Sequence, residues 1–248
     1  MAQTKFQKYI DIIIDNIEGG YYHPNMKEKN PDKFAVMGSS GETMYGMDRV
    51  AGAGLFKSES GKAFWAAIDK EDAAHKWTYN YKPTGTLATQ LKGYVCDIQT
   101  AQFNTLAKKY LKENTSIVEN DDCLCLHFFY GCWNGSWWFK YYAEKLNAEI
   151  ARQKQKSSKL DMDMLRKCAL NARINNIGNS GKHVSLIEKG GLKMQQLWKK
   201  YFGVDCILTD EAVAIFSGQK TDKKIWPWIV GGAVLLLIGG GIWWYNKR

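Results

Sequence analysis

Ile17-Glu18-Gly19-Gly20-Tyr21-Tyr22 is the stretch on which the rest of the chain is organised, together with Gly41-Glu42-Thr43-Met44-Tyr45-Gly46-Met47 downstream. The first of these runs closes a segment with the apolar Ile12-Ile13-Ile14. It continues an apolar face that starts at Phe6 and repeats at helical spacing. Thr4 and Gln7 upstream have the form of a capping box, and the two glycines are typical of a helix C-terminus. The stretch therefore predicts a first helix that begins after Thr4 and ends at Glu18.

Glu18 stands in a place where a carboxyl group has physical reasons to keep its proton. Apolar neighbours disfavour the charged form, and so does the negative end of a helix dipole. Gly19 and Gly20 leave the backbone open to a large ligand. A glycosidase needs such an acid to protonate the leaving oxygen of a sugar–sugar bond. The alternative is that Glu18 is a solvated helix-end residue and Gly19-Gly20 an ordinary C-cap.

Composition and charge restrict the class of protein. The 248 residues are 45% hydrophobic and 24% charged, which indicates a chain that folds around a substantial core. The 34 Lys+Arg against 25 Asp+Glu give a net charge of +9, which favours an anionic partner. Nucleic acid, lipid headgroups and a bacterial wall polymer all qualify. Because no nucleic-acid-binding motif is present, a nucleic-acid partner ranks last.

Hydrophobic periodicity predicts a mainly α-helical domain with a small β-hairpin. Residues 19–48 are rich in Gly, Ser, Pro and Asn, which indicates a loop with a short hairpin. The segment from Cys123 to Tyr130 is apolar all round and predicts a helix through the middle of the core. The other expected helices are Ser60–Asp69, one from Thr100, one after Ser136 with Trp137, Tyr141, Leu146 and Ile150 inward, and two near 160–174 and 184–202.

The cysteines and histidines raise the question of a metal site. Cys123, Cys125, His127 and Cys132 are close in sequence, but they lack the usual paired ligand spacings and lie in an apolar segment. We therefore expect core packing rather than metal, and thiols rather than disulfides among the six cysteines. The chain contains neither a Walker loop nor a dinucleotide fingerprint. No metal or other cofactor is expected.

The C-terminal segment has the composition of a membrane anchor. Residues 225–245 are uncharged and dominated by Ile, Val, Leu, Gly and Trp, and at helical rise they cover about 30 Å, the thickness of a bilayer's hydrocarbon core. Tryptophans flank the segment at both ends, as interfacial aromatic belts do. The predicted organisation is a domain over 1–217, a linker over 218–224, a transmembrane helix over 225–245 and a short basic tail over 246–248.

Three runs carry a family resemblance. Glu18-Gly19-Gly20-Tyr21 is followed by Ser40-Gly41-Glu42-Thr43-Met44-Tyr45-Gly46-Met47-Asp48 and then by Phe129-Tyr130-Gly131-Cys132-Trp133-Asn134-Gly135-Ser136. In this order they resemble phage-type N-acetylmuramidases of the lysozyme-like superfamily. Those enzymes carry a Glu-Gly-Gly-Tyr run at the end of the first helix and a Gly-Gly-Ala-Thr-Asn-Tyr-Gly-Ile-Thr run that enters a small sheet at the cleft. Their core helix ends in an Asn-His-Gly turn.

The resemblance implies a lysozyme-like fold and a set of site residues. Glu18 would protonate the glycosidic oxygen. Glu42 and Thr43 would be catalytic residues that position or activate the attacking water. Tyr21, Tyr45 and Gly46 would shape the groove that binds the glycan.

The second carboxylate is left open by the sequence. The family often has an Asp before the Gly-Gly-Ala-Thr run, where this chain has Gly38-Ser39, and an insert over 26–37 separates the two runs. Glu42, Asp32 and Asp48 are candidates in that order. The alternative is that there is none, as in a lytic transglycosylase, where the muramic acid's own hydroxyl closes a 1,6-anhydro ring.

We therefore expect a peptidoglycan-cleaving muramidase, phage-encoded and single-pass in a membrane through residues 225–245. The alternatives are a lytic transglycosylase, a non-catalytic wall-binding or structural membrane protein, and, last, a basic membrane protein that binds nucleic acid. Expected partners are peptidoglycan and a lipid membrane, with a homo-oligomer or other virion membrane proteins as further partners. Since no secretory signal is evident, one hypothesis places the protein in the internal membrane of a lipid-containing phage particle.

Overall fold

The computed structural model describes residues 4–20, 22–23, 42–50, 52–78, 80–174 and 184–217. Over these ranges the chain is mainly α-helical with one small antiparallel sheet, which confirms the predicted combination of helices and a hairpin. Within the same ranges, no helix is both long enough and apolar enough to cross a membrane. The predicted linker, transmembrane helix and basic tail, residues 218–248, lie outside the described residues.

The helices are numbered here α1 to α9 in chain order. They are α1 Lys5–Ile13, α2 Glu59–His75, α3 Gly85–Leu106, α4 Thr115–Glu119, α5 Asp122–Gly131, α6 Ser136–Lys154, α7 Met162–Ile174, α8 Val184–Phe202 and α9 Asp210–Ser217. Two π-helical turns, Ile14–Glu18 and Ala107–Leu111, directly follow α1 and α3.

The first helix forms as the sequence predicts. The Thr4 hydroxyl accepts a hydrogen bond of 3.2 Å from the Gln7 amide, so the N-terminal cap is made. After α1 the chain widens into the π-helix that ends at Glu18, and Gly19 follows in the left-handed conformation with φ 76°. The helix therefore ends at the predicted residue.

Helix α5 is the centre of the core. Every side chain from Cys123 to Tyr130 is buried, which confirms the prediction from the apolar segment. The Asp121 carboxylate caps the helix by accepting from the Leu124 amide at 2.9 Å. Helices α1, α3, α4, α6, α7 and α8 all pack against α5. This arrangement surrounds α5 and explains why it carries no polar face.

The sheet consists of three two-residue strands, β1 Tyr22–His23, β2 Thr43–Met44 and β3 Met47–Asp48, in that order. β2 and β3 form a hairpin whose turn residues, Tyr45 and Gly46, both have positive φ (54° and 70°). Such a pair is typical of a type I′ turn. On the other side, the Tyr22 amide donates to the Tyr81 carbonyl at 2.7 Å, which ties β1 to the segment before α3.

Three helix predictions differ from the structure. Helix α2 extends to His75 rather than Asp69, and α3 begins at Gly85 rather than Thr100. The early part of α3 is half polar, so its apolar residues at helical spacing are diluted. Trp137 is 59% exposed rather than inward, since the buried face of α6 begins at Phe139 and continues through Tyr142 and Leu146.

A pair of substitutions at Asp121 tests how α5 is anchored. Asp121 caps the helix and also accepts from Arg166 of α7, with Nη2 at 2.6 Å. D121N keeps a side chain that caps well but loses the ion pair, whereas D121A loses both. We expect D121A to unfold at lower urea concentration than D121N, by about 1 kcal/mol of unfolding free energy. Equal losses in the two variants, measured by urea denaturation of the full chain, would contradict the capping role.

Candidate active site

Glu18 is positioned by the π-helical turn at the end of α1. A π turn adds one residue to each hydrogen-bonded ring and thereby changes the direction in which the following side chain points. Asn16, a residue of this turn, ties it to its surroundings. Its side-chain amide donates to the Ile12 carbonyl at 2.8 Å and to the Tyr201 hydroxyl of α8 at 3.3 Å. Single-turn π segments are frequent at functional sites.

The Glu18 carboxyl lies between α5 and the hairpin. The Tyr130 hydroxyl of α5 donates a hydrogen bond to it. On the other side it touches Gly46, where a Cβ would lie only 2.6 Å from the Glu18 Cδ. Although Glu18 keeps part of its surface accessible, burial raises the pKa of its carboxyl to about 7, and the Tyr130 hydrogen bond opposes that rise. The group therefore holds its proton up to about neutral pH.

The hairpin turn is fixed against this carboxyl by two further contacts. The Tyr45 carbonyl accepts from the Trp133 indole Nε1 at 3.0 Å. The Tyr45 ring is 2% exposed and reaches Gly20, where a Cβ would lie 3.4 Å from its Cε1. Because Tyr45 is a bulky residue at positive φ, these contacts hold a conformation that tyrosine disfavours. The first two runs of the family resemblance thus meet in the structure.

A cleft of about 750 Å³ opens beside the hairpin. Its walls are residues 46–48 of the hairpin, residues from the segment 52–58, one face of α3, and residues 132–136, which follow α5. Glu18 is not among the lining residues. Its carboxyl contacts Gly46, which is one of them.

Glu42 occupies a different environment from Glu18. Its carboxylate accepts from the Tyr22 hydroxyl at 2.7 Å and from Arg49 Nη1 at 2.6 Å. Arg49 in turn pairs with Asp69 of α2 through two hydrogen bonds of 2.7 Å and stacks over Trp65 at 4.8 Å. Both Glu42 oxygens thus serve a network that ties the sheet to α2.

The remaining predicted residues fall in and around the sheet. Thr43 lies in β2, opposite His23 on one side and Asp48 on the other. Asp48 lines the cleft, and its carboxylate accepts from the Val50 amide at 2.8 Å. Tyr21 and Asp32 lie outside the described residues.

Two residues of the site carry no clear signal in the sequence. Tyr130 belongs to the apolar α5 segment, where an aromatic residue predicts core packing. Arg173 of α7 is fully buried, and its guanidinium lies 4.8 Å from the Tyr130 ring and 4.6 Å from the Tyr142 ring. In the sequence, Arg173 stands out only as a basic residue among apolar residues of a predicted helix. That pattern does not indicate which residues it contacts.

The cysteine and histidine cluster packs in the core. Cys123, Cys125, His127 and Cys132 are all buried, as the core-packing interpretation predicts, and all six cysteines are free thiols. Burial raises the pKa of the Cys132 thiol well above its ordinary value, and burial with the nearby Arg173 charge lowers the pKa of His127. Among the described residues, no three His, Cys, Asp or Glu side chains are grouped to hold a metal ion.

The arrangement places a largely buried carboxylic acid with a raised pKa against Gly46 of the hairpin turn, which lines the cleft. No protein-family model matches the chain, and searches of curated proteins and of solved structures find no match either. The chemical interpretation of the site therefore depends on its geometry and on the three runs of sequence described above.

Gly46 can be tested against a second glycine of the same cleft. In G46A the new methyl group would collide with the Glu18 carboxyl, and alanine would be strained at φ 70°. Gly54 also lines the cleft, but a Cβ there meets nothing within 4 Å. We expect G46A to lower the unfolding free energy by more than about 1 kcal/mol and G54A to leave it nearly unchanged. Similar unfolding curves for the two variants would show that the contact is not close.

The raised pKa of Glu18 predicts a specific pH dependence of stability. The ordinary pKa of the carboxyl is 4.5 and its folded value is about 7, so between these values the folded state binds more protons than the unfolded state. Stability contributed by the protonated group is then lost as pH rises through that window. We expect E18Q, which cannot ionise, to gain stability relative to wild type by about 2 kcal/mol from pH 4 to pH 8. Parallel stability–pH profiles of the two chains would contradict the burial of the acid.

Proposed function

We propose that this protein cleaves the glycan strands of peptidoglycan at the bond between N-acetylmuramic acid and N-acetylglucosamine, with Glu18 as the general acid. The observation that carries the proposal is the Glu18 carboxyl itself, which is largely buried, hydrogen-bonded by Tyr130 and packed on Gly46 beside a cleft. A carboxylic acid with a pKa near 7 can be protonated in the resting site and still transfer its proton readily. The likeness of the Glu18–Tyr21 run to that of the muramidases supports the same role.

The first chemical step is proton transfer to the glycosidic oxygen. As the bond to the leaving sugar breaks, positive charge develops on the ring that remains, and Glu18 becomes a carboxylate. The Tyr130 hydroxyl already donates to this carboxyl, so the new charge forms in the presence of a fixed hydrogen-bond donor. The carboxylate then takes a proton from the attacking hydroxyl group, which restores the acid.

The source of that attacking hydroxyl separates two candidate reactions. In the hydrolase, water attacks with help from Glu42 and Thr43. In the lytic transglycosylase, a hydroxyl of the muramic acid attacks, a 1,6-anhydro ring forms and no water is consumed. The contacts of Glu42 favour the second reaction, because Arg49 and Tyr22 already hold both of its carboxylate oxygens, which leaves the group poorly placed to orient an attacking water. If the reaction is a hydrolysis, Asp48 is the described carboxylate of the cleft lining that could assist the attacking water.

Substrate and location are part of the same proposal. A net charge of +9 suits a polyanionic wall, and an anchor over residues 225–245 would keep the enzyme on a membrane, such as the internal membrane of a phage particle. Partners would be peptidoglycan, the bilayer, and further copies or other membrane proteins of the particle. A non-catalytic wall-binding protein would keep the cleft but would have no use for an acid with a raised pKa.

A cleavage assay with two matched variants tests the proposal. The full chain in detergent micelles is incubated with purified peptidoglycan, and the products are identified by mass spectrometry. E18Q should reduce the rate at least about 100-fold, while E59Q, at an exposed glutamate of α2, should not change it. The wild-type rate should fall as pH rises above about 7, since the acid is then ionised. Undiminished cleavage by E18Q would refute the assignment.

The product ends decide between the two reactions. Reducing muramic acid ends would identify a hydrolase, and 1,6-anhydro ends a transglycosylase. E42Q gives a second criterion, because it should slow a hydrolase that uses Glu42 and leave a transglycosylase nearly unaffected. If wild type releases no products but binds the walls, the non-catalytic alternative is correct.

A further inference from the structure

Asn134 lies in the cleft wall with its amide orientation fixed. Its Oδ1 accepts a hydrogen bond of 2.8 Å from Arg173 Nη1. Because arginine can only donate, the oxygen of this amide must face Arg173 and the nitrogen must face away. Asn134 itself is half-buried and lines the cleft, so a nitrogen that faces away from the buried Arg173 can point toward the cleft.

Arg173 is held in an unusual environment for a cation. It is fully buried, yet it forms no ion pair with any described carboxylate. It donates hydrogen bonds to two neutral acceptors, Asn134 Oδ1 and the His127 carbonyl, the latter at 3.2 Å. Its guanidinium also makes cation–π contacts with the Tyr130 and Tyr142 rings. A buried charge is costly unless its donors are used, and Arg173 Nε has no partner among the described residues, so the two hydrogen bonds that the guanidinium does form constrain it strongly.

The packing around Arg173 leaves it little freedom to release Asn134. Helix α8 passes over it at Gly191, where a Cβ would lie 3.1 Å from the Arg173 Cγ. The neighbouring Gly190 lies against Tyr130, where a Cβ would be 3.6 Å from the hydroxyl oxygen. Arg173 is thus enclosed by α5, α7 and α8, and it contacts both the residue that donates to Glu18 and the amide in the cleft wall.

We propose that Asn134 is a ligand-binding residue of the cleft, and that Arg173 is the positioning residue that turns its amide N–H groups toward an acceptor oxygen of the bound ligand. On the proposed function, on which this inference depends, the ligand is a glycan and the acceptor is an acetamido carbonyl or a hydroxyl oxygen. Both groups recur along an N-acetylated sugar chain. A neutral amide donor matches them, because it forms the bond without the desolvation cost of a charge.

The contact of Asn134 with the ligand would also place the ligand relative to the Glu18 carboxyl. Arg173 connects Asn134 to Tyr130, and Tyr130 donates to Glu18. A sugar held by the Asn134 amide is therefore fixed with respect to the same rigid group that holds the acid. Such fixed placement of the substrate is a general source of catalytic rate.

N134D is the decisive variant, because it removes the N–H donors and keeps an acceptor for Arg173. Its carboxylate would pair with the guanidinium, so the fold should be retained or strengthened. The matched control is N120D, at an exposed position after α4, which makes the same change of charge away from the contacts of Arg173. All variants are made in the full-length E18Q chain, which binds without turnover.

The measurement is the dissociation constant for a neutral N-acetylglucosamine tetrasaccharide, by calorimetry in micelles. N134D should weaken binding about tenfold with an unchanged or higher urea midpoint, and N120D should bind like the parent. R173M should weaken binding in the parent chain and have little effect when added to N134A, if Arg173 acts through Asn134.

The outcomes separate this inference from the proposed function. Unchanged binding by N134D overturns the role of Asn134 even if the wild-type chain cleaves peptidoglycan. Weaker binding by N134D in a protein whose wild type cleaves nothing supports the ligand-binding role and refutes the enzymatic one. A parent chain that does not bind the tetrasaccharide at all overturns the glycan as the ligand and this inference with it.

Discussion

The contact between the Glu18 carboxyl and Gly46 constrains the whole of the site. It requires that the end of the first helix and the tip of the hairpin approach more closely than any side chain at position 46 would allow. The type I′ turn, the buried Tyr45 and the hydrogen bond from Trp133 all hold the tip there. The burial that results from this packing raises the pKa of the carboxyl.

The direct contacts of the Glu18 carboxyl are with neutral groups, the Tyr130 hydroxyl and Gly46. A cation placed directly on Glu18 would stabilise the carboxylate and lower the pKa of the group, which would remove its capacity to give a proton near neutral pH. Arg173 is separated from Glu18 by Tyr130, so its charge acts on the donor rather than on the acid. Glu42, in contrast, has the Arg49 guanidinium in direct contact, so the two carboxyl groups differ in their immediate partners.

Local features of this structure were readable from the sequence, and distant ones were not. The end of the first helix at Glu18, the short hairpin and the central apolar helix α5 all follow from periodicity and from glycine placement within a few residues. The partnership of Glu18 with Tyr130 joins residues more than a hundred positions apart, and nothing local marks it. Asn134 belongs to the third run of the resemblance, but neither that run nor the local pattern around Arg173 indicates that the two side chains are partners, because tertiary packing brings them together. The start of α3 was missed because polar residues dilute its apolar face.

The π turn of Ile14–Glu18 has a consequence for how this site would change through insertion and deletion. Each residue added to or removed from a helix rotates the residues beyond it by about 100°. Removal of a single residue from the turn would convert it to regular α-helix, carry the carboxyl away from Tyr130 and leave the core helices undisturbed. A single-residue deletion would thus give a chain with the same helical architecture whose carboxyl no longer lies between Tyr130 and the hairpin turn.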